Sequence, residues 1–311
     1  MNWSVHIAGP EDLEGDLTLT RFAGREPSAR LQPALRMSVE AAGRRWGEVR
    51  FTACAFGNEF CERLLPEPEM LRAAAAAARS RGLAFTFLTP YVSNDGLARL
   101  RELFSVLDAG EVVFNDWGVL NVLRREFPHL RPVQGRLLNK SLRDPRVMGI
   151  YSQTEPAAGA ASATLAVLQR SNLDCESYTG WLSRLGVAGV EMDHLPQGMD
   201  LSFADRGVSL SVYWPFGFIS TSRACLAAGL HYRKPDKFQP GAPCRRECQT
   251  HLVEYAYTNS PFGNRDQKFY LKGNTYFYVH SEPMLRSLFE QAASGRITRL
   301  VFQPRLPMAA P

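Results

Sequence analysis

The sequence predicts an α/β protein: a (β/α) TIM-like barrel in a single domain, with an irregular cysteine-bearing segment and a C-terminal βαβ portion. Two observations predict it. Short β-rich runs alternate with helical runs of the size that βα units around a parallel sheet require. No glycine-rich dinucleotide fingerprint follows any strand, which favours a barrel over a doubly wound nucleotide-binding sheet. The composition agrees. With 311 residues, 45% hydrophobic and 22% charged, the chain can bury a large core, so disorder is excluded as its main state.

The elements follow in order. Val49 to Phe56 (VRFTACAF) reads as a strand. Pro68 to Ser80 reads as a helix, because Ala73 to Ala78 has very high helix propensity. Leu83 to Leu88 is the next strand, and Asp95 to Leu107 a helix with Leu97, Leu100, Leu103 and Phe104 on one face. Glu111 to Phe114 is a strand, Trp117 to Glu126 a helix, and Leu130 to Val133 a short strand. Thr154 to Thr164, rich in Ala, Gly, Ser and Pro, reads as a loop. A helix near Tyr178 to Leu185 precedes strands at Val187 to Glu191 and Val208 to Tyr213. Arg223 to Cys248 is irregular, with Pro235, Pro240, Gly241 and Pro243, and a segment that long needs something to hold it. Lys268 to Leu271 and Thr275 to Val279 form a hairpin across Lys272-Gly273-Asn274. Pro283 to Ala293 is a helix with Gly295 near its end, and Ile297 to Phe302 a final strand.

A net charge of +5 is mildly basic and without a long basic run, so nucleic-acid binding is allowed but not demanded. Apolar stretches are broken well before the about 18 residues of a membrane span. The acidic start, with Glu11, Asp12, Glu14 and Asp16, is unlike a secretory signal. The expected compartment is therefore the cytoplasm, where six cysteines make a poor disulfide framework.

Cys225, Cys244 and Cys248 form C-x18-C-x3-C, and Cys61 lies far upstream. Residues four apart share one face of a helical turn, so Cys244 and Cys248 can point at one ion. Four thiolates suit Zn or an iron–sulfur cluster. Spacing alone leaves a metal site and incidental cysteines equally open, with His231 and His251 as substitute ligands in a Zn reading. Cys54, inside a strand, reads as a core residue, and Cys175 as structural or exposed.

Four stretches carry a family resemblance over roughly Val49 to Arg305. They are FGNEFCERL (Phe56 to Leu64), VVFNDWGVLNVL (Val112 to Leu123), the later cysteines, and the tail from FYLKGNTYFY (Phe269 to Tyr278) to VFQPRL (Val301 to Leu306). The chain resembles the collagenase-like peptidase family, peptidase family U-thirty-two, and within it the short UbiV-type iron–sulfur proteins. The resemblance implies a [4Fe-4S] cluster on Cys61, Cys225, Cys244 and Cys248, with Zn as the alternative. It implies a part in an oxygen-independent hydroxylation of a small aromatic precursor, with a related family member as partner subunit. Alternatives within its reach are an RNA-base hydroxylase, a peptidase, and a non-catalytic Zn-stapled partner subunit. No G-x-S-x-G or H-E-x-x-H supports the peptidase label. The first matching helix begins near residue 34, so residues 1–33 are expected to be an N-terminal extension to a barrel domain at 34–311, with its cysteine-bearing segment at 223–250.

In a barrel, residues just after each strand share the C-terminal face, where barrel enzymes place their sites. Here these include Asn58, Glu59, Cys61, Tyr91, Asn115, Asp116, Arg136, Asn139, Glu191, Asp193 and Trp214. Asn115, Asp116 and Glu191 are the expected catalytic residues, since acids at strand ends orient substrates or relay protons. Arg136 is the expected substrate ligand, able to hold a carboxylate in bidentate fashion. The basic run Arg136, Lys140, Arg143 and Arg146 is a candidate contact to RNA phosphate.

Overall fold

The computed structural model describes residues 1–144, 158–233, 235, 237, 243–256 and 268–308. Its centre is a closed barrel of eight parallel strands. These are β1 (Asn2–Ile7), β2 (Ala53–Gly57), β3 (Ala84–Leu88), β4 (Gly110–Phe114), β5 (Leu130–Gln134), β6 (Gly189–Asp193), β7 (Leu210–Trp214) and, last in the chain, β12 (Arg299–Phe302). The strand order is β1-β12-β7-β6-β5-β4-β3-β2, closed by β1 pairing with both β12 and β2. Around it lie α1 (Gln32–Trp46), α2 (Pro68–Ser80), α3 (Asn94–Ser105), α4 (Trp117–Glu126), α5 (Ala158–Leu168), α6 (Glu176–Arg184) and α7 (Glu282–Ala293).

Between β7 and β12 the chain leaves the barrel. It forms β8 (Phe216–Thr221), β9 (Val253–Ala256), β10 (Lys268–Lys272) and β11 (Thr275–Val279), an antiparallel sheet of order β8-β11-β10-β9. The expected C-terminal βαβ portion is therefore two things. The hairpin belongs to this second sheet, and only β12 belongs to the barrel.

The side chains explain the layers. Alternate residues of a strand face opposite ways. Ala55, Leu88, Val113, Val133, Tyr213 and Val301, one each from six strands, form a separate buried cluster that fills the barrel interior. Cys54, Phe56, Phe87, Phe114, Met192 and Phe302 belong to the larger core under the helices. Near the strand starts, the interior is polar: Arg299 Nη1 and Thr86 Oγ1 both donate to Glu111 Oε2, at 2.6 and 3.0 Å.

Two expectations need correction. Residues 1–33 are not an extension outside the domain. Asn2–Ile7 is the strand that closes the barrel, and Asp12 binds both Arg305 Nη atoms at 2.7 and 2.9 Å. Without β1 the sheet would have two open edges between β2 and β12. The expected loop Thr154 to Thr164 lies partly outside the described residues, and from Ala158 on it is α5, because its alanines favour helix. The β8 and β9 strands were not foreseen in the sequence.

Gly57, the last residue of β2, has φ +115°, and a Cβ there would collide with the Leu88 carbonyl oxygen. Gly57→Ala should destabilise the fold by more than about 1 kcal/mol in urea unfolding, through left-handed strain and that backbone clash.

Candidate functional site

Two polar assemblies sit at the C-terminal ends of the barrel strands. The first is buried. The Arg136 side chain is fully inaccessible, yet its guanidinium reaches Glu59 Oε2 through Nε and Nη2 at 2.9 and 2.7 Å and Asp193 Oδ1 through Nη1 at 2.6 Å. Arg143 donates to the other Asp193 oxygen. The Arg136 guanidinium lies 3.9 Å from the Tyr213 ring centre and 5.1 Å from that of Phe60. Burial opposes a charge on Arg136, but Glu59, Asp193 and Tyr213 outweigh it and hold the group cationic. Burial pushes the Glu59 carboxyl up, and Arg136 pulls against it. Next to this pair, Glu191 accepts a hydrogen bond from Tyr213 Oη at 2.8 Å. Burial and then the Glu59 charge drive its carboxyl well above the usual carboxylate range.

This arrangement corrects several expectations. Arg136 cannot clamp a substrate carboxylate, because two protein carboxylates already occupy it and no face is open. Arg136 and the buried Arg143 cannot touch RNA phosphate for the same reason, Lys140 is left exposed, and Arg146 lies outside the described residues. Asn115 is bonded to backbone at both ends of its amide: Nδ2 donates to Thr89 O at 2.8 Å and Oδ1 accepts from Leu137 N at 3.0 Å. Asp116 is the cap of α4, with Oδ1 accepting from Gly118 N at 2.7 Å. The residues expected to be catalytic thus hold loops, start a helix, or lie sealed in the interior. Trp214 packs in the core against Trp3, Phe289 and Phe302.

The second assembly is open. Cys61, Cys225, Cys244 and Cys248 all line one cavity of about 280 Å³, together with Phe60, Tyr91, Ser93, Arg223, Asn274 and Met308. Cys61 follows β2, Cys225 follows β8, and Cys244 and Cys248 precede β9, so three distant stretches of chain meet. The Arg223 guanidinium lies 5.8 Å from the Tyr91 ring centre, and Arg63 is also part of the wall. Burial pushes the Cys61 thiol up to about 11, and the charges of Cys248, Cys225 and Cys244 add to the rise. Burial also raises Cys225 and Cys248. Four mutually repelling sulfurs in one cavity become stable thiolates when a cation neutralises them. Donors for sulfur are in place: Ala228 N to Cys225 at 3.4 Å, Arg246 N to Cys244 at 3.3 Å and Gln249 Nε2 to Cys248 at 3.1 Å. Four thiol sulfurs are the donor type that thiolate-bound metal groups use, but among the described residues no group of three or more His, Cys, Asp or Glu side chains is placed to hold a metal ion.

Neither His231 nor His251 lines the cavity: His231 Nε2 is 3.5 Å from Glu247 Oε1, and His251 Nδ1 is near Glu247 O. Cys54 is fully buried, with its thiol pushed up to about 12 by burial, and Cys175 is exposed. Sequence reasoning missed Asn274, whose Nδ2 reaches into the wall, and the buried pair His194 and His280, both lowered by burial to about 3. The Gly-Asn pair was legible as a turn, and nothing local marked it as part of a site.

No protein-family model matches the chain, and no curated protein does. Among solved structures, the U32 peptidase Mk0906 aligns over 97% of this chain and 92% of that one, at 11% identity and a TM-score of 0.40. A dihydropteroate synthase from Coxiella burnetii aligns over 69% and 73%, at 11% identity and a TM-score of 0.31. A group IV chitinase from Ostrinia furnacalis aligns over 81% and 84%, at 8% identity and a TM-score of 0.32. At such scores no residue role transfers, and the barrel is established by its own strand order. Among the described residues no helix is long and apolar enough to cross a membrane.

Two measurements check the buried assembly. Arg136→Met should lower urea stability by about 3–5 kcal/mol, because Glu59 and Asp193 lose a fully buried partner. Glu191 binds its proton more tightly when folded than at its ordinary value of 4.5. Its contribution is therefore fully present below that pH and is lost as pH rises toward the folded value. The stability of wild type relative to Glu191→Gln should fall steadily above pH 4.5, whereas parallel curves would place an ordinary carboxyl there.

Proposed function

We propose that the chain is an iron–sulfur protein that holds a [4Fe-4S] cluster on Cys61, Cys225, Cys244 and Cys248. In this reading it takes part in an oxygen-independent hydroxylation of a small aromatic precursor, alongside a related partner subunit. One observation carries the proposal: four cysteines from three distant stretches line one cavity at the mouth of the barrel. When bound, the cluster supplies one-electron chemistry. The protein's own residues do the rest. Phe60 and Tyr91 give the cavity aromatic wall, and Arg63 and Arg223 line it together with the carboxylate of Glu62, a mixed polar rim around aromatic surface. Phe60, which lines the cavity, is packed on the buried Arg136 guanidinium.

A single Zn ion would use the same sulfurs, but it requires all four about 2.3 Å from one point. A cluster spreads its ligands more widely than one ion does, and a cavity of about 280 Å³ has room for it.

The test is iron, acid-labile sulfide and the absorption spectrum of protein purified without oxygen, for wild type, Cys244→Ala and Cys175→Ala. The expected result is about four iron and four sulfide per chain in wild type and Cys175→Ala, and loss in Cys244→Ala. One zinc and no sulfide would replace the cluster with a structural ion. Metal-free protein that cleaves peptides would overturn the reading in favour of a peptidase.

A further inference from the structure

The turn Lys272-Gly273-Asn274 between β10 and β11 touches all three stretches that bring cysteines to the cavity, the last of them at Cys248. Asn274 Nδ2 reaches the carbonyl of Phe60, the residue before Cys61, at 2.8 Å. The same nitrogen reaches Ser222 O, three residues before Cys225, at 2.7 Å, and Tyr91 Oη at 3.1 Å. Gly273 O accepts from Ala227 N, two residues after Cys225, at 3.2 Å. Gly273 has φ +64°, and a Cβ there would stand 3.2 Å from Cys248 Cβ and 2.6 Å from Met308 Cε. Asn274 is buried, so its amide has no water to fall back on.

We infer that this turn is the positioning element of the cysteine cavity: Asn274 fixes the approach of Cys61 and Cys225, and Gly273 leaves the space that Cys248 fills. The inference deepens the iron–sulfur reading by naming residues that set the ligands without being ligands. It does not depend on a cluster, because every contact it rests on joins protein atoms. An amide that donates to several carbonyls cannot be replaced by a carboxylate of the same size, which would turn acceptor against acceptor. A side chain at Gly273 would meet both the Cys248 side chain and left-handed strain.

The test uses metal-free full-length protein under reducing conditions. Alkylation by iodoacetamide is followed at each cysteine by mass spectrometry in wild type, Asn274→Asp, Asn274→Ala and Gly273→Ala. Cys54, buried in β2 away from the cavity, is the internal reference for general loosening. The expected result is that Cys61 and Cys225 react about ten-fold faster relative to Cys54 in the Asn274 variants, the scale of losing one buried hydrogen-bond partner, and that Cys248 does so in Gly273→Ala. Unchanged ratios, including a uniform rise at all cysteines, would overturn the inference, because the turn would then serve only the fold at large. Anaerobic reconstitution is a second arm, with iron and sulfide uptake expected to fall at least about three-fold in Asn274→Asp. If wild type takes up no iron and sulfide, the iron–sulfur reading fails, while the alkylation ratios still decide the role of the turn.

Discussion

The molecule is organised around a charge that has no access to water. Arg136 sits where the barrel strands end, and its cation survives there because Glu59 comes to it from β2 and Asp193 from β6. A lone buried cation would be prohibitively costly, so these three side chains must arrive together. Their meeting ties the loops after β2, β5 and β6 into one unit, with Phe60 and Tyr213 packed on the guanidinium. It also fills the barrel mouth with protein. The open cavity lies instead at the seam between the barrel and the second sheet.

That seam is where the cysteines gather. Phe60 belongs to both places: its ring lies against Arg136, and the next residue is Cys61. The buried ion pairs and the sulfur-lined cavity are thus neighbours joined through Phe60. The small sheet brings the other three cysteines over it, and Phe218 and Phe277 pack on Phe60 at 5.5 and 5.2 Å. These aromatic contacts, with the Asn274 hydrogen bonds to Phe60 O and Ser222 O, join the loop after β2 to the second sheet.

What the sequence disclosed and what it withheld have different physical origins. The βα units were legible because each has local periodicity: Leu100, Leu103 and Phe104 of α3 are buried as the helical spacing requires. The four cysteines were legible as a group only through family likeness, since their convergence depends on long-range packing. Asn115 and Asp116 were misread because a polar residue at a strand end serves equally well as a helix cap or a loop staple. Arg136 was misread because its partners, Glu59 and Asp193, are 77 and 57 positions away. β1 was missed because NWSVHI alternates with the polar Asn2, Ser4 and His6 and shows no continuous apolar run, although it is as long as the other barrel strands. Polar side chains facing the interior, such as Glu59 and Glu191, hid their burial from any reading of hydrophobic pattern.

The pairing of β1 with β12 has a temporal meaning. Asn2 finds Arg299, and Glu26 receives the Leu306 backbone N–H at 2.6 Å, so the earliest segment waits for the latest. Met308, at the end of that same tail, lies against Gly273, and its carbonyl holds Gln249 beside Cys248. While a ribosome is still making the chain, Cys61 is already exposed and its companions are missing. The cavity exists only after the last strand has been delivered and a very long loop has been closed, a slow event for a chain with such distant contacts. A metal group on the four cysteines would therefore draw on ligands that come together only at that late stage.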